Sequence, residues 1–124
     1  MKIDWERWSQ TAGWAVADGR ILVELPDGRR HKVAVQVQQD VVELSAIVAR
    51  GSQLTAIEDA ARKIWRRNRS AQRVGFRVDR HGRIVGESWS PRAGLTADEF
   101  RSTVRHLAAE CDRMEMLLTG TDLE

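Results

Sequence analysis

Cysteine is nearly missing from this chain. Cys111 is its single example, which excludes an intramolecular disulfide and fits a reducing compartment. Long apolar runs are missing too: none approaches the roughly 18 residues of a membrane span. No charged stretch followed by an apolar core opens the chain, so neither secretion nor bilayer insertion is expected, and the expected location is cytoplasmic. There is no G-x-S-x-G elbow and no glycine-rich phosphate-binding signature, which argues against an enzyme. Internal repeats and low-complexity tracts are also absent.

What is present suffices for one domain. The 124 residues, 42% of them hydrophobic, can bury a core without metal or disulfide, and a single domain over residues 1–124 is expected. Leu123-Glu124 resembles a cloning scar and is set aside. Net charge is +2 but unevenly spread. Residues 62–83 carry nine basic and one acidic side chain, between a first part with seven and nine and a last part with four and eight. Such a block suits an acidic partner, nucleic acid or an acidic face of the same fold.

Patterning supplies the elements in order. Trp5, Trp8 and Ala12 stand at helical spacing after Asp4, a candidate N-cap. Asp18-Gly19 joins the strand at Trp14-Ala15-Val16-Ala17 to one over Arg20–Leu25, and Pro26-Asp27-Gly28 turns the chain again. From Arg30 to Gln38, Val33, Val35 and Val37 alternate with Lys32, Ala34, Gln36 and Gln38. From Val41 to Ala49, Val42, Leu44, Ala46 and Val48 share one face, yet the other face, with Val41, Ile47 and Ala49, is too apolar for an ordinary wet surface. That face is expected to be covered by a helix or another subunit.

The period then becomes helical from Ser52 or Thr55 to Asn68, with Ile64 and Trp65 expected to pack inward and Asn68 to form a left-handed stop. Two strands follow, Val74–Val78 and Arg83–Trp89, around Asp79-Arg80-His81-Gly82. Thr96-Ala97-Asp98-Glu99 opens a long helix as a capping box, with Thr96 accepting from the Glu99 amide and the Glu99 carboxylate reaching back to the Thr96 amide. Its seam is Phe100, Val104, Leu107, Cys111, Met114 and Leu118. Runs of strands separated by helices and joined by short turns predict an α+β fold, an antiparallel sheet of about five to six strands with helices packed on it.

Several segments in this order resemble one superfamily. They are Ile64-Trp65-Arg66-Arg67-Asn68, Gly75-Phe76-Arg77-Val78-Asp79 with Gly82-Arg83-Ile84, Leu95-Thr96-Ala97-Asp98-Glu99-Phe100, and Ala109-Glu110-Cys111-Asp112. Together they resemble YbjN and the type III secretion chaperone-like proteins, over residues 14–118. The resemblance implies a small, non-enzymatic, frequently dimeric α+β domain that holds another polypeptide, with no catalytic residue to carry over. The arginine-rich segment from Arg62 to Arg83 and the tryptophan-rich start depart from that pattern.

Sharper chemistry finds little support. His106 and Glu110, at i and i+4, make two metal ligands at most and read as an exposed helix pair. Cys111 lies on the seam and reads as core, and Asp79 beside His81 reads as a turn cap. No catalytic residue, cofactor or metal is expected. The expected function is protein binding as a homodimer. Apolar side chains of the partner would meet Val41, Ile47 and the N-terminal Trp5, Trp8 and Trp14, which otherwise form a lid on the core. Its acidic groups would meet Arg62, Arg66, Arg67, Arg69, Arg73 and Arg77. Two alternatives stay open: an immunity or antitoxin-like inhibitor of an acidic partner, and a nucleic-acid-binding module using the basic block with Trp65 for stacking.

Overall fold

Strands form where β-branched residues alternate with polar ones, and they end at turns that need positive φ. In the computed structural model, which describes residues 3–49, 57–70 and 73–119, the elements run α1 (Trp5–Thr11), β1 (Ala15–Ala17), β2 (Arg20–Glu24), β3 (Arg30–Val37), β4 (Val41–Ala49), α2 (Ile57–Ser70), β5 (Gly75–Val78), β6 (Ile84–Pro91) and α3 (Ala97–Thr119). The β1–β2 turn places Asp18 and Gly19 at φ 54° and 74°, as a tight hairpin with two left-handed residues requires. The strands make one sheet in the order β1-β2-β3-β4-β6-β5, antiparallel at every pairing. This is the expected α+β architecture. The expected start of α2 at Ser52 or Thr55 and the residues Leu123-Glu124 lie outside the described residues.

One face of the sheet is the core face. Ile21, Val33, Leu44, Ala46, Phe76 and Ile84 point to it and meet Phe100, Val104, Leu107, Cys111 and Met114 of α3, all buried. Ile64 of α2 joins them. Trp5, Trp8 and Trp14 are half-buried and pack against this cluster, with the Trp8 and Phe100 rings edge-on at 5.6 Å. The expected seam of α3 is thus the side facing the sheet.

The structure corrects several local expectations. Asp4 precedes α1 without a side-chain capping bond. At the α3 start, the Glu99 amide donates to Thr96 Oγ1 at 3.2 Å, but the Glu99 carboxylate accepts from the Thr96 hydroxyl at 3.0 Å instead of reaching the Thr96 amide. Trp65 is 59% exposed, with the Arg69 guanidinium 4.8 Å from its ring centroid. It is adjacent to Ile64, but one residue along a helix is about 100° of rotation, so both cannot face the core. Val78 shares the strand face of Phe76 but is exposed at the end of β5.

Asn68 is inside α2 and is no left-handed stop. Its side-chain amide accepts from the Phe76 N–H at 2.7 Å and donates to the Phe76 carbonyl at 3.0 Å. β5 is the edge strand, so this amide takes the place that a further strand would occupy. Asn68→Ala removes both bonds and is expected to cost about 1–2 kcal/mol in a urea unfolding titration. An unchanged midpoint would mean that water replaces them in full.

Candidate functional site

The face of the sheet opposite the core carries no helix among the described residues. Strand register fixes what it presents. Arg20 aligns with Ala34, Ser45, Glu87 and Gly75 across five strands, Ile47 with Val85 and Arg77, and Glu43 with Trp89. Two apolar spots stand on this outer face, with Ser45 and Glu87 between them: Trp89, 63% exposed, beside Glu43, and Ile47, 41% exposed, beside Val85, which is only 6% exposed.

At one end the sheet parts. β3 pairs with β4 only from Ala34 to Val37, so Arg30–Val33 pair with β2 alone and Ala46–Ala49 with β6 alone. Between them opens a cleft of about 610 Å³. Arg20, Arg30, Lys32, Arg77 and Arg83 line it over an apolar floor of Ile47 and Val85. Arg77 donates to Glu87 at 3.1 Å and Arg83 to Asp79 at 2.8 Å. Arg20, Arg30 and Lys32 have no ion-pair partner among the described residues.

The cleft reaches a charged group beneath the sheet. His31 Nε2 is 3.2 Å from Asp112 Oδ1 and 3.8 Å from Glu115 Oε1. His31 and Asp112 are buried. The three donor atoms lie within 4.8 Å of one another, a spacing that suits a metal ion. The surroundings do not. Arg29 Nη1 stands 3.6 Å from Asp112 and 4.0 Å from Glu115, and the cleft above is basic, so a dication would face cations on several sides.

No family model matches this chain, and no curated protein does. Solved structures match it. A chain of the heterodimeric ExoU–SpcU complex from the type III secretion system of Pseudomonas aeruginosa aligns with a TM-score of 0.67 at 13% identity, covering 94% of this chain and 98% of that one. YbjN from E. coli, described as a putative transcription regulator, aligns at 0.65 and 17%, covering 95% and 88%. A chain of the HopA1–SchA chaperone–effector complex aligns at 0.59 and 10%, covering 90% and 89%. The fold is type III secretion chaperone-like.

On this chaperone-like fold the expected site residues separate. Val41, Ile47 and Arg77 lie on the outer face. Arg62, Arg66 and Arg69 project from α2, Arg62 and Arg69 beside exposed Trp65. Arg67 is engaged elsewhere: its Nη2 donates to both carboxylate oxygens of Glu110. Arg73, at φ 66°, reaches Thr103 Oγ1 at 3.4 Å, while its carbonyl accepts from the Ser88 hydroxyl at 2.7 Å. Trp5, Trp8 and Trp14 sit at the core margin, Trp14 under the Arg105 guanidinium at 5.3 Å.

The expected exposed pair of His106 and Glu110 is corrected, since Glu110 is 3% exposed and held by Arg67 and Arg113. Cys111 is core as expected. Burial, aided by the negative charges of Glu110, Glu115 and Asp112, pushes its thiol up to about 12. Asp79 caps its turn as expected, accepting from the His81 and Arg83 amides at 2.9 Å each. The motif aspartate Asp112 takes its place beside His31, which sequence reasoning did not single out.

The cleft cations Arg20, Arg30, Lys32 and Arg83 were also missed as a set, because only register brings β2, β3 and the β5–β6 turn together. Trp89 was legible in part. It shares the outward parity of Val85 and Glu87, a position where a tryptophan is conspicuous.

Proposed function

We propose that this chain is a non-enzymatic protein-binding domain that holds a partner polypeptide on its outer sheet face, acting in the cytoplasm as a homodimer. One observation carries the reading: the sheet is covered on one side by three helices and on the other presents an open face with Trp89 and Ile47 exposed. A large exposed aromatic on an open sheet is the kind of anchor that partner surfaces use. Two similar solved structures are chains of protein–protein complexes, which supports the same reading. Within it, Val41, Ile47 and Trp89 take apolar side chains, Arg77 and the α2 arginines Arg62, Arg66 and Arg69 meet acidic groups, and Trp5, Trp8 and Trp14 extend the apolar margin.

The test is co-purification of the native complex. A single stoichiometric protein, lost in Trp89→Ala with circular dichroism unchanged, is the expected result. Its retention at full occupancy in Trp89→Ala would place binding elsewhere. Light scattering after gel filtration, well above micromolar concentration, is expected to give twice the chain mass, and a monodisperse monomer would refute the dimer.

A second reading is favoured by Trp65, which with Arg62, Arg66 and Arg69 gives α2 a basic, partly aromatic surface. Nucleic acid bound there would be released steeply with salt. No retardation of DNA or RNA at low salt would remove this reading.

A further inference from the structure

We propose that the cleft between β3 and β4 binds an acidic, extended segment of the partner polypeptide. Its carboxylates would lie on Arg20, Arg30 and Lys32, and one apolar side chain would rest on Ile47 and Val85. This rests on the partner-binding reading and adds the chemistry of what is bound.

Charge selects the sign of the ligand. Five cationic side chains line the cleft, and its carboxylates are already engaged: Asp79 by Arg83, Glu115 with His31 and Arg29. Glu24 faces Arg30 across the ladder, yet the two are not within ion-pair distance. Arg20, Arg30 and Lys32 share the outward parity of Ala34 on neighbouring strands, so their charges converge over one floor. Burying a segment among them would lower the local dielectric and strengthen each charge-assisted contact.

Geometry selects an extended chain. Arg30–Val33 present a strand edge with no β4 partner, four residues that span about 13 Å at the usual rise. An added strand would supply the missing main-chain bonds and turn every second side chain to the outer face, where the cations and the floor of Ile47 and Val85 both lie, so its successive outward positions would carry carboxylates and one apolar group. A phosphate chain satisfies the cations but neither the unpaired edge nor the apolar floor.

The probe is a fluorescein-labelled eight-residue peptide with aspartate at three alternate positions, valine at the fourth and threonine between them, so that the aspartates and the valine share one strand face, measured by anisotropy against the intact protein at low salt. Controls are the same peptide with asparagine for aspartate and an oligonucleotide of equal charge. Binding of the aspartate peptide is expected, weakened at least about tenfold in the asparagine version and in Arg30→Glu/Lys32→Glu. Equal binding of both peptides, or undiminished binding by a double variant with unchanged circular dichroism, overturns the proposal. Tighter binding of the oligonucleotide overturns the polypeptide as occupant.

The native complex separates the two levels. Its survival in Arg30→Glu/Lys32→Glu but not in Trp89→Ala overturns the cleft assignment and leaves partner binding standing. Survival in both variants overturns both.

Discussion

Arg67→Ala is expected to lower the free energy of unfolding by about 3 kcal/mol, the lower end of the range for breaking a buried ion pair. The reason is Glu110, a carboxylate 3% exposed on α3. Arg67 of α2 donates to both of its oxygens and is the α2 side's contribution to the α2–α3 contact there. Arg113 also reaches Glu110 at 3.0 Å, but its side chain is 62% exposed and well solvated, so it compensates in part. Removing Arg67 leaves a buried charge short of its main partner, whereas Arg67→Met/Glu110→Leu removes both charges and is expected to recover most of the loss. Urea unfolding of the three proteins checks this. A loss below about 1 kcal/mol in Arg67→Ala would show that Arg113 alone satisfies the carboxylate.

The same pair fixes a pH dependence. Burial pushes the Glu110 carboxyl up, but hydrogen bonds and charge from Arg67, then Arg113, outweigh it and hold the group below its usual range. The folded value is therefore lower than the unfolded one. Its contribution is complete above the ordinary carboxylate range and is lost as pH falls through the lowered value. Asp79 acts in the same direction, because the Arg83 and His81 amides and the Arg83 guanidinium overcome its desolvation. Unfolding midpoints measured from pH 6 to pH 3 are expected to fall more steeply for the natural sequence than for Glu110→Gln. Parallel curves would show that Glu110 does not titrate below its usual range in the folded state.

Periodicity made the fold legible and left the pairings hidden. The alternation in β3 and β4 and the seam of α3 each named the buried side, because a period of 2 or 3.6 is a statement about faces. It says nothing about which polar group meets which. Arg67 and Glu110 are 43 residues apart, and His31 and Asp112 are 81 apart, so no local spacing joins them. Asn68 misled for a related reason. Asparagine after a helical run suits a left-handed stop, yet the neighbouring edge strand offered its amide two backbone partners. The basic block was read along the chain, whereas the sheet splits it. Arg77 goes to the outer face with Arg20 and Lys32, and Arg67 goes to the interior beside α3.

Gly86→Ala is expected to cost about 3 kcal/mol, at the upper end for overpacking a core, and to do so mainly through one neighbour. Gly86 lies in the middle of β6 between Ala46 and Phe76, on the core face. A Cβ there would stand 2.5 Å from Cys111 Sγ and 3.1 Å from Phe76 Cε1. Both neighbours are buried, so neither can swing into solvent. Glycine weakens a strand, and its presence here lets α3 approach the sheet closely. Cys111→Ala alone removes one heavy atom and is expected to cost about 1 kcal/mol. In Gly86→Ala/Cys111→Ala the new methyl occupies the space that Sγ leaves and only the tight approach to Phe76 remains, so the double variant should lie within about 1 kcal/mol of Cys111→Ala. That makes the coupling about 2 kcal/mol or more, well beyond the few tenths expected of independent sites. Additive losses would instead mean that the strand backbone, and not the thiol, resists the added carbon.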